Sequence, residues 1–351
     1  MNTVTNKNTL DHFKACMIGG AIGDALGASI EFMSMDQIRS KFGYQGLTDY
    51  SAAYGRLGAI TDDTQMMLFT AEGLILSKVR QEYQEPGGIT SSVHHALLRW
   101  LYTQETNLQG SLIKNHGTCS IVDGILTGYK ELFSLRAPGN SCLSALKSGR
   151  MGTMENPVND SKGCGGVMRM APMAPVGLAF QDAERAFKIG CECAAITHGH
   201  STGYLSAGTL AAIISIILSG DSLYDAIDGS VGILKARKNN KETLDAIHKA
   251  VEMATRFPAQ SDVIKDIGSG WVAEEALGIS IYCALSSGED FKKGVLLSVN
   301  HSGDSDSTGS ITGNILGALY GFDFIPEHWI KNLELKDLIE EIAVDLFDRF
   351  R

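Results

Sequence analysis

Two short acidic segments carry the densest chemistry in this sequence. Thr61-Asp62-Asp63-Thr64 and Asp304-Ser305-Asp306-Ser307-Thr308 both mix carboxylates with hydroxyls, and both stand just ahead of an apolar run at helical spacing. Helix capping accounts for such residues one at a time, because Ser, Thr and Asp side chains accept from the orphan N–H groups of a first turn. One cap needs one residue, however, and here four carboxylates share two short stretches. Four Asp side chains brought together repel one another unless something positive sits between them. Hard oxygen donors of this kind suit Mg²⁺, Mn²⁺ or Ca²⁺ and do not suit a soft zinc site. The two segments lie near opposite ends of the chain, so a shared site would tie those ends together and argues against two independent domains.

Two more segments add candidates. In Gly19-Gly20-Ala21-Ile22-Gly23-Asp24-Ala25-Leu26-Gly27-Ala28-Ser29-Ile30-Glu31-Phe32, Asp24 sits beside a glycine series. Glu31 falls at the expected C-terminal end of a helix, where a carboxylate opposes the helix dipole; a solvated surface position is the alternative to a functional one. In Asp160-Ser161-Lys162-Gly163-Cys164-Gly165-Gly166-Val167-Met168-Arg169, a glycine-rich loop could present backbone N–H groups to a phosphate, or be a plain loop. It matches neither the P-loop nor the dinucleotide pattern, and no strand precedes it. His198 and His200, two apart, point to different helix faces and make a poor metal pair, as do His94 and His95. No Gly-x-Ser-x-Gly elbow is present.

The elements that must position these residues read as helices. Leu68, Ala71, Leu74, Ile75 and Val79 fit one helical face, Ala183, Phe187, Cys191 and Ala194 another, and alternating strands are hard to find. Residues 207–218 are apolar almost all round, as suits a helix inside a bundle. Further helices are expected at 222–237, 242–256, 271–286 and 334–350. Gly19, Gly23 and Gly27 repeat every four residues, and so do Gly309, Gly313, Gly317 and Gly321. Each series makes a helix face without side chains. Interior glycine costs about 1 kcal/mol against alanine, so two such ladders call for unusually close helix approach near the bundle centre.

Composition narrows the class. Lys and Arg number 30 against 40 Asp and Glu, a formal charge of −10, and no basic stripe marks a nucleic-acid binder. Seven cysteines without a CxxC pair suggest free thiols in a reducing compartment. The N-terminal MNTVTNKNTLDHFKA lacks the apolar core of a signal peptide. The longest apolar stretch, 205–218, is interrupted by Ser206, Thr209 and Ser215 and falls short of the roughly 20 residues a bilayer requires. The expectation is an all-α, cytoplasmic protein that engages neither nucleic acid nor membrane, with a polar extension over residues 1–12 ahead of a single domain over 13–351.

GGAIGDALGASIEF, TDDTQMMLFTAEGL, SKGCGGVMRMAP, ITHGHSTGYLSAG and NHSGDSDSTGSITGNILGALYG, in this order, resemble the motifs of the ADP-ribosylglycohydrolase family. Arg136-Ala-Pro-Gly-Asn and Gly270-Trp271-Val272-Ala273-Glu274-Glu275-Ala276-Leu277 resemble further stretches of its bacterial members. The resemblance implies a compact multi-helix bundle around a cleft holding two Mg²⁺ or Mn²⁺ ions. Thr61, Asp62 and Asp63 would be ligands from the first cluster, and Asp304, Asp306 and Ser307 from the second, Ser307 standing where many members carry threonine. Glu31 would match the family's flexible-loop glutamate. Ser161, Lys162, Gly163, Cys164, Gly165, Gly166 and His198 would contact ADP-ribose, with Cys164 at a place where some relatives have asparagine or another polar residue.

The implied activity is hydrolysis of the glycosidic bond of an ADP-ribosylated protein side chain. Such a reaction stabilises an oxocarbenium-like centre and delivers water, which two metals can orient and acidify. Asp306 would assist that water as base while Glu31 helps position the ribose. Arginine is the preferred leaving group, with serine linkage and O-acetyl-ADP-ribose open. A second class of reading is capture without turnover, in which an immunity protein binds ADP-ribose or occludes an ADP-ribosyltransferase toxin. A third, a metal-dependent phosphohydrolase, follows from the acidic clusters alone.

Overall fold

The computed structural model of the protein describes residues 9–85, 87–105 and 124–351. Residues 1–8 and Cys119 lie outside them. Among the described residues there is no strand, and two isolated bridges, Ala53–Arg56 and Gly163–Val272, are the extended pairings present. Helix α1 (Thr9–Gly27) leads through a turn into α2 (Met35–Phe42), which starts at a Ser34–Gln37 capping box. Helix α3 (Asp62–Glu82) packs on α4 (Ile89–Gln104), and α5 (Asn140–Lys147) follows the Arg136–Gly139 loop. Next come α6 (Ala174–Phe180), α7 (Ala183–Ala195), α8 (Ser201–Leu218), α9 (Leu223–Lys235) and α10 (Lys241–Arg256). The chain closes with α11 (Ile264–Ile267), α12 (Ala273–Leu285), α13 (Phe291–Val299), α14 (Ser305–Tyr320), α15 (Glu327–Asn332) and α16 (Lys336–Arg349).

The expected helices at 222–237, 242–256, 271–286 and 334–350 are α9, α10, α12 and α16. Helices α9, α12 and α16 end inside the expected bounds, α9 because Ser222 stands outside it as a cap that accepts from the Asp225 N–H, whereas α10 starts one residue earlier than expected, at Lys241. Helix α1 begins within the stretch expected to be a polar extension. Residues 9–12 belong to it, and His12 Nδ1 lies 2.8 Å from the Ala318 carbonyl oxygen.

The two glycine ladders face each other. A Cβ on Gly23 would come 2.9 Å from Ser310 N, one on Gly309 2.8 Å from the Gly23 carbonyl carbon, and one on Gly313 2.5 Å from that of Gly19. Helices α1 and α14 therefore touch backbone to backbone. Asn314 Nδ2 seals the pair by donating to the Cys16 carbonyl at 2.8 Å. Gly321 does not take part: it ends α14 at φ 79°, a left-handed cap that suits glycine.

Helix α8 differs from expectation. At 18 residues and mean hydropathy 1.6 it is long and apolar enough to cross a membrane by length and composition, whereas the interrupting hydroxyls had suggested otherwise. In this fold 83% of it is buried within the protein, packed against α7, α9, α12 and α14. Its hydroxyls are satisfied locally, Thr209 Oγ1 donating to the Leu205 carbonyl at 2.8 Å and Ser206 Oγ meeting Thr243 Oγ1 at 3.2 Å, so they add little polarity to its surface.

Candidate active site

The ladder aims the first elements of the site. Gly27 ends α1 against the backbone of Asp306 and lies so close to Ser305 that a Cβ would sit 2.5 Å from its carbonyl carbon. The turn after Gly27 thus carries Glu31 toward the first turn of α14, where it is buried. Asp24, also buried, accepts from Thr61 N at 3.0 Å, from Thr64 N at 3.1 Å and from the Thr64 hydroxyl, which pins the start of α3 to α1. Ser307 Oγ reaches Asp63 Oδ1 at 3.4 Å across 244 positions of sequence. The two acidic segments therefore converge. Capping holds as well: Thr61 Oγ1 accepts from Asp63 N at 3.3 Å and Asp304 Oδ1 from Ser307 N at 3.2 Å. Asp62, Asp63 and Asp306 remain beyond what the two caps need.

These groups border a cavity of about 190 Å³. Glu31, Asp62, Asp63, Asp304, Asp306 and Ser307 form its acidic wall, and Gly163, Cys164, Gly165 and His198 continue the lining. The glycine-rich loop is held by bridge bonds, Cys164 N to the Trp271 carbonyl at 3.1 Å and Ala273 N to the Lys162 carbonyl at 2.8 Å. A Cβ on Gly165 would lie 2.9 Å from Cys142 Sγ and 3.2 Å from His198 Cε1, so only glycine lets the loop pass between them. Cys164 Sγ donates to Asp304 Oδ2 at 2.8 Å and links loop to acidic wall. Phe32, beside Glu31, stacks on Trp271 with ring centroids 5.8 Å apart and planes at 18°, both rings being exposed.

Four of the predicted site residues do not line the cavity. Thr61 is buried as a cap. Ser161 lies behind the loop, its Oγ 2.7 Å from Ser141 Oγ and accepting from Gly163 N at 3.2 Å. Lys162 turns instead to Glu242, at 2.7 Å, and to Glu274. Gly166 is packed beneath His198. Conversely, Ala137, Gly139, Asn140, Ser141, Cys142, Met168 and Trp271 line the cavity without having been assigned a role. The motif stretches beginning at Arg136 and Gly270 were the available signal for most of them.

Burial and mutual repulsion raise the carboxyl pKa values throughout. Glu31 is pushed up to about 11 by burial, then by the charges of Asp306, Asp304 and Asp62. Asp62, Asp63 and Asp306 are held well above the usual range, first by burial and then by one another or by Asp304. Asp24 rises to about 7 through burial and the neighbouring Asp306. Asp63 Oδ2 and Glu31 Oε2 are buried without a hydrogen-bond donor. Uncompensated negative charge and orphaned hard oxygens are what a divalent cation would satisfy, so the donor set fits one. Among the described residues no three His, Cys, Asp or Glu side chains close into a ready-made cage.

His198 has the opposite character. Burial, and then the Arg169 charge, lower its pKa to about 3, so the ring is neutral near pH 7. Arg169 Nη2 donates to Thr197 Oγ1 at 2.8 Å, and that hydroxyl lies 2.9 Å from His198 Nδ1. With the hydroxyl proton directed to Nδ1, the ring proton sits on Nε2, the atom nearest Gly163.

The profile of the ADP-ribosylglycohydrolase family matches residues 5–351. The chain is 25% identical to the ADP-ribosylarginine hydrolase Tri1 of Pseudomonas putida over 99% of its own length and 81% of that protein's. It is 23% identical to human ADP-ribosylhydrolase ARH3, covering 98% and 94% of the two chains. With the ADP-ribosyl-[dinitrogen reductase] glycohydrolase of Rhodospirillum rubrum it shares 22% identity over 95% and 94%. A solved structure described as an ADP-ribosylglycohydrolase-related protein complex superposes with TM-score 0.65 at 22% identity, over 98% of this chain and 100% of that one, which establishes a common fold.

Proposed function

The chain belongs to the ADP-ribosylglycohydrolase family, hydrolases acting on glycosyl bonds, and we propose that its substrate is a protein carrying ADP-ribosyl-arginine. The observation that carries this reading is the convergence of Asp62, Asp63, Asp304, Asp306 and Glu31 on one cavity bounded by a glycine-rich loop and His198. An acidic cavity suits a leaving group that departs as a cationic guanidinium. Two similar proteins, from Pseudomonas putida and Serratia proteamaculans, are named ADP-ribosylarginine hydrolases, which supports the same linkage.

Family members generally depend on a divalent cation. Here Asp62, Asp63, Asp304 and Asp306, with the hydroxyl of Ser307, would hold two Mg²⁺ or Mn²⁺ ions. Ions held by these residues would supply positive charge for orienting ribose hydroxyls and for lowering the pKa of a water. Asp306 takes the proton of the attacking water as the bond between ribose and guanidine breaks. Glu31 holds the sugar through a ribose hydroxyl, and the His198 Nε2 proton is donated to an oxygen of the ADP-ribose. The water's hydroxyl adds to the ribose carbon, and the proton that Asp306 has taken from it passes to the departing guanidine nitrogen, so the products are ADP-ribose and an unmodified arginine.

The test is incubation with arginine-, serine- and cysteine-linked ADP-ribose substrates in Mg²⁺, Mn²⁺ or EDTA. The expected result is free ADP-ribose from the arginine linkage, abolished by EDTA. Binding of ADP-ribose without release would instead favour capture without turnover, and release of phosphate a phosphohydrolase.

A further inference from the structure

We infer that Glu334 is a positioning residue for the acidic cavity, acting through Arg136 and Ile60 on the first turn of α3. Glu334 lies in the link between α15 and α16 and is only 2% exposed. Its Oε2 accepts from Ile60 N at 3.1 Å, and its carboxylate forms a two-pronged pair with the Arg136 guanidinium, Nη2 to Oε1 being 3.1 Å. Arg136 also donates from Nη1 to the Ile60 carbonyl at 2.7 Å, while its own carbonyl accepts from Asp62 N at 3.3 Å. The backbone is thus gripped on both sides of Thr61, immediately before Asp62 and Asp63. Glu334 N donates to the Gly58 carbonyl at 3.0 Å, and a Cβ on Gly58 would come 2.9 Å from the Asn332 carbonyl carbon, so residues 58–60 are laid directly on 332–334.

The same clamp sets a second wall. Arg136 continues into Ala137 and Gly139, which line the cavity. A buried ion pair is a weak source of net stability, because desolvating both charges offsets most of their attraction, so stability alone explains this pair poorly. Its geometry is directional: the Glu334 carboxylate takes the N–H of Ile60 and the Arg136 guanidinium its carbonyl, two residues before α3 begins, and Arg56 Nη1 lies 3.2 Å from Glu334 Oε1 on the outer side. Residues that orient ligands without touching the metal commonly change affinity or activity about 10–100-fold when altered.

This inference rests on the reading that Asp62 and Asp63 hold a cation, and the experiment separates the two. Mn²⁺ binding is measured by electron paramagnetic resonance on the full chain without substrate, for wild type, Glu334→Gln, Arg136→Lys and the double variant. Melting without cation and kcat and KM on ADP-ribosyl-arginine accompany it. Expected are folded variants whose Mn²⁺ affinity and kcat each fall about 10–100-fold, with KM moving less, and a double variant no worse than the weaker single one. Wild-type Mn²⁺ affinity and kcat in a folded Glu334→Gln or Arg136→Lys would overturn the inference, as would failure of both to fold, which would assign the pair to stability alone. A wild-type protein that holds no Mn²⁺ would overturn the cation reading first and this one with it.

Discussion

Replacing Gly27 by alanine tests how the helix pair sets the chemistry. The new Cβ would sit 2.5 Å from the Ser305 carbonyl carbon, with the Asp306 backbone closer still. Ordinary carbon–carbon contact is about 3.5–4.0 Å, so α1 and the first turn of α14 must part by about 1 Å. The obstructing atoms are backbone, and no side chain can swing aside. Overpacking of this kind costs about 1–3 kcal/mol, offset by up to about 1 kcal/mol from removing a helical glycine. Net destabilisation of about 0–3 kcal/mol corresponds to a few degrees in Tm at most for a chain this long. Catalysis is far less forgiving, since about 1 Å of misplacement can lower turnover about 100-fold. Gly27→Ala should therefore melt within a few degrees of wild type yet release ADP-ribose about 10–100-fold more slowly. Gly313→Ala, whose Cβ would meet the Gly19 carbonyl two turns further along α14, should reverse the balance, with more stability and less turnover lost. Turnover within threefold of wild type in Gly27→Ala, at unchanged Mn²⁺ affinity, would refute the idea that the ladder places Asp306.

Asp306→Asn should keep the fold and lower hydrolysis about 10²–10⁴-fold, because it removes a charged ligand and the proposed base; near-normal turnover at saturating cation would remove that role. Folded-state pKa values raised above the unfolded ones mean that the folded chain binds more protons between the two. What these carboxyls contribute to the cation-free protein should then be complete at low pH and be lost as pH rises, through about 7 for Asp24 and on toward about 11 for Glu31, while His198, its pKa lowered to about 3, opposes the trend below about 6.5. Urea melts across this range check it, saturating Mn²⁺ should flatten the decline, and a flat cation-free profile would contradict the crowding of these carboxyls. A hundredfold excess of cation over Kd should stabilise the wild type by about 2.7 kcal/mol, and Asp62→Ala with Asp304→Ala should abolish the thermal shift; a double variant that still responds would place the ions elsewhere.

What could be read from the sequence was whatever repeats locally or carries an improbable density of one chemistry. The ladders announced close helix approach, because glycine every four residues has a cost that only such approach offsets; that each is the other's partner is visible only in the structure. The acidic clusters announced convergence because capping uses one carboxylate and leaves a surplus. Side-chain direction in the glycine-rich loop is not legible in the sequence: the resemblance puts Lys162 against ADP-ribose, yet Glu242 and Glu274, 80 and 112 positions on, draw it elsewhere. Asn140, Ser141 and Cys142 open a short helix without a periodic signature, and their place in the wall follows from the path of the Arg136 loop. Glu334 is the extreme case, one glutamate in an ordinary stretch whose partner stands 198 positions away.

The backbone contact between α1 and α14 also bears on how the chain is made. Asn314 and the Cys16 carbonyl that it meets are 298 positions apart. At about 5–20 residues per second, roughly 15–60 s separate the synthesis of one helix from that of its partner. For that interval the bare glycine face of α1 has nothing to close on and Glu31 stands without the carboxylates of α14, while Asp24 meets Thr61 and Thr64, 37 and 40 positions on, far sooner. The acidic cavity cannot exist on a nascent chain that has not yet reached α14, so hydrolytic competence arrives late and all at once. That long closure also makes the α1–α14 junction slow to form, because the cost of joining distant segments is met before any contact between them rewards it.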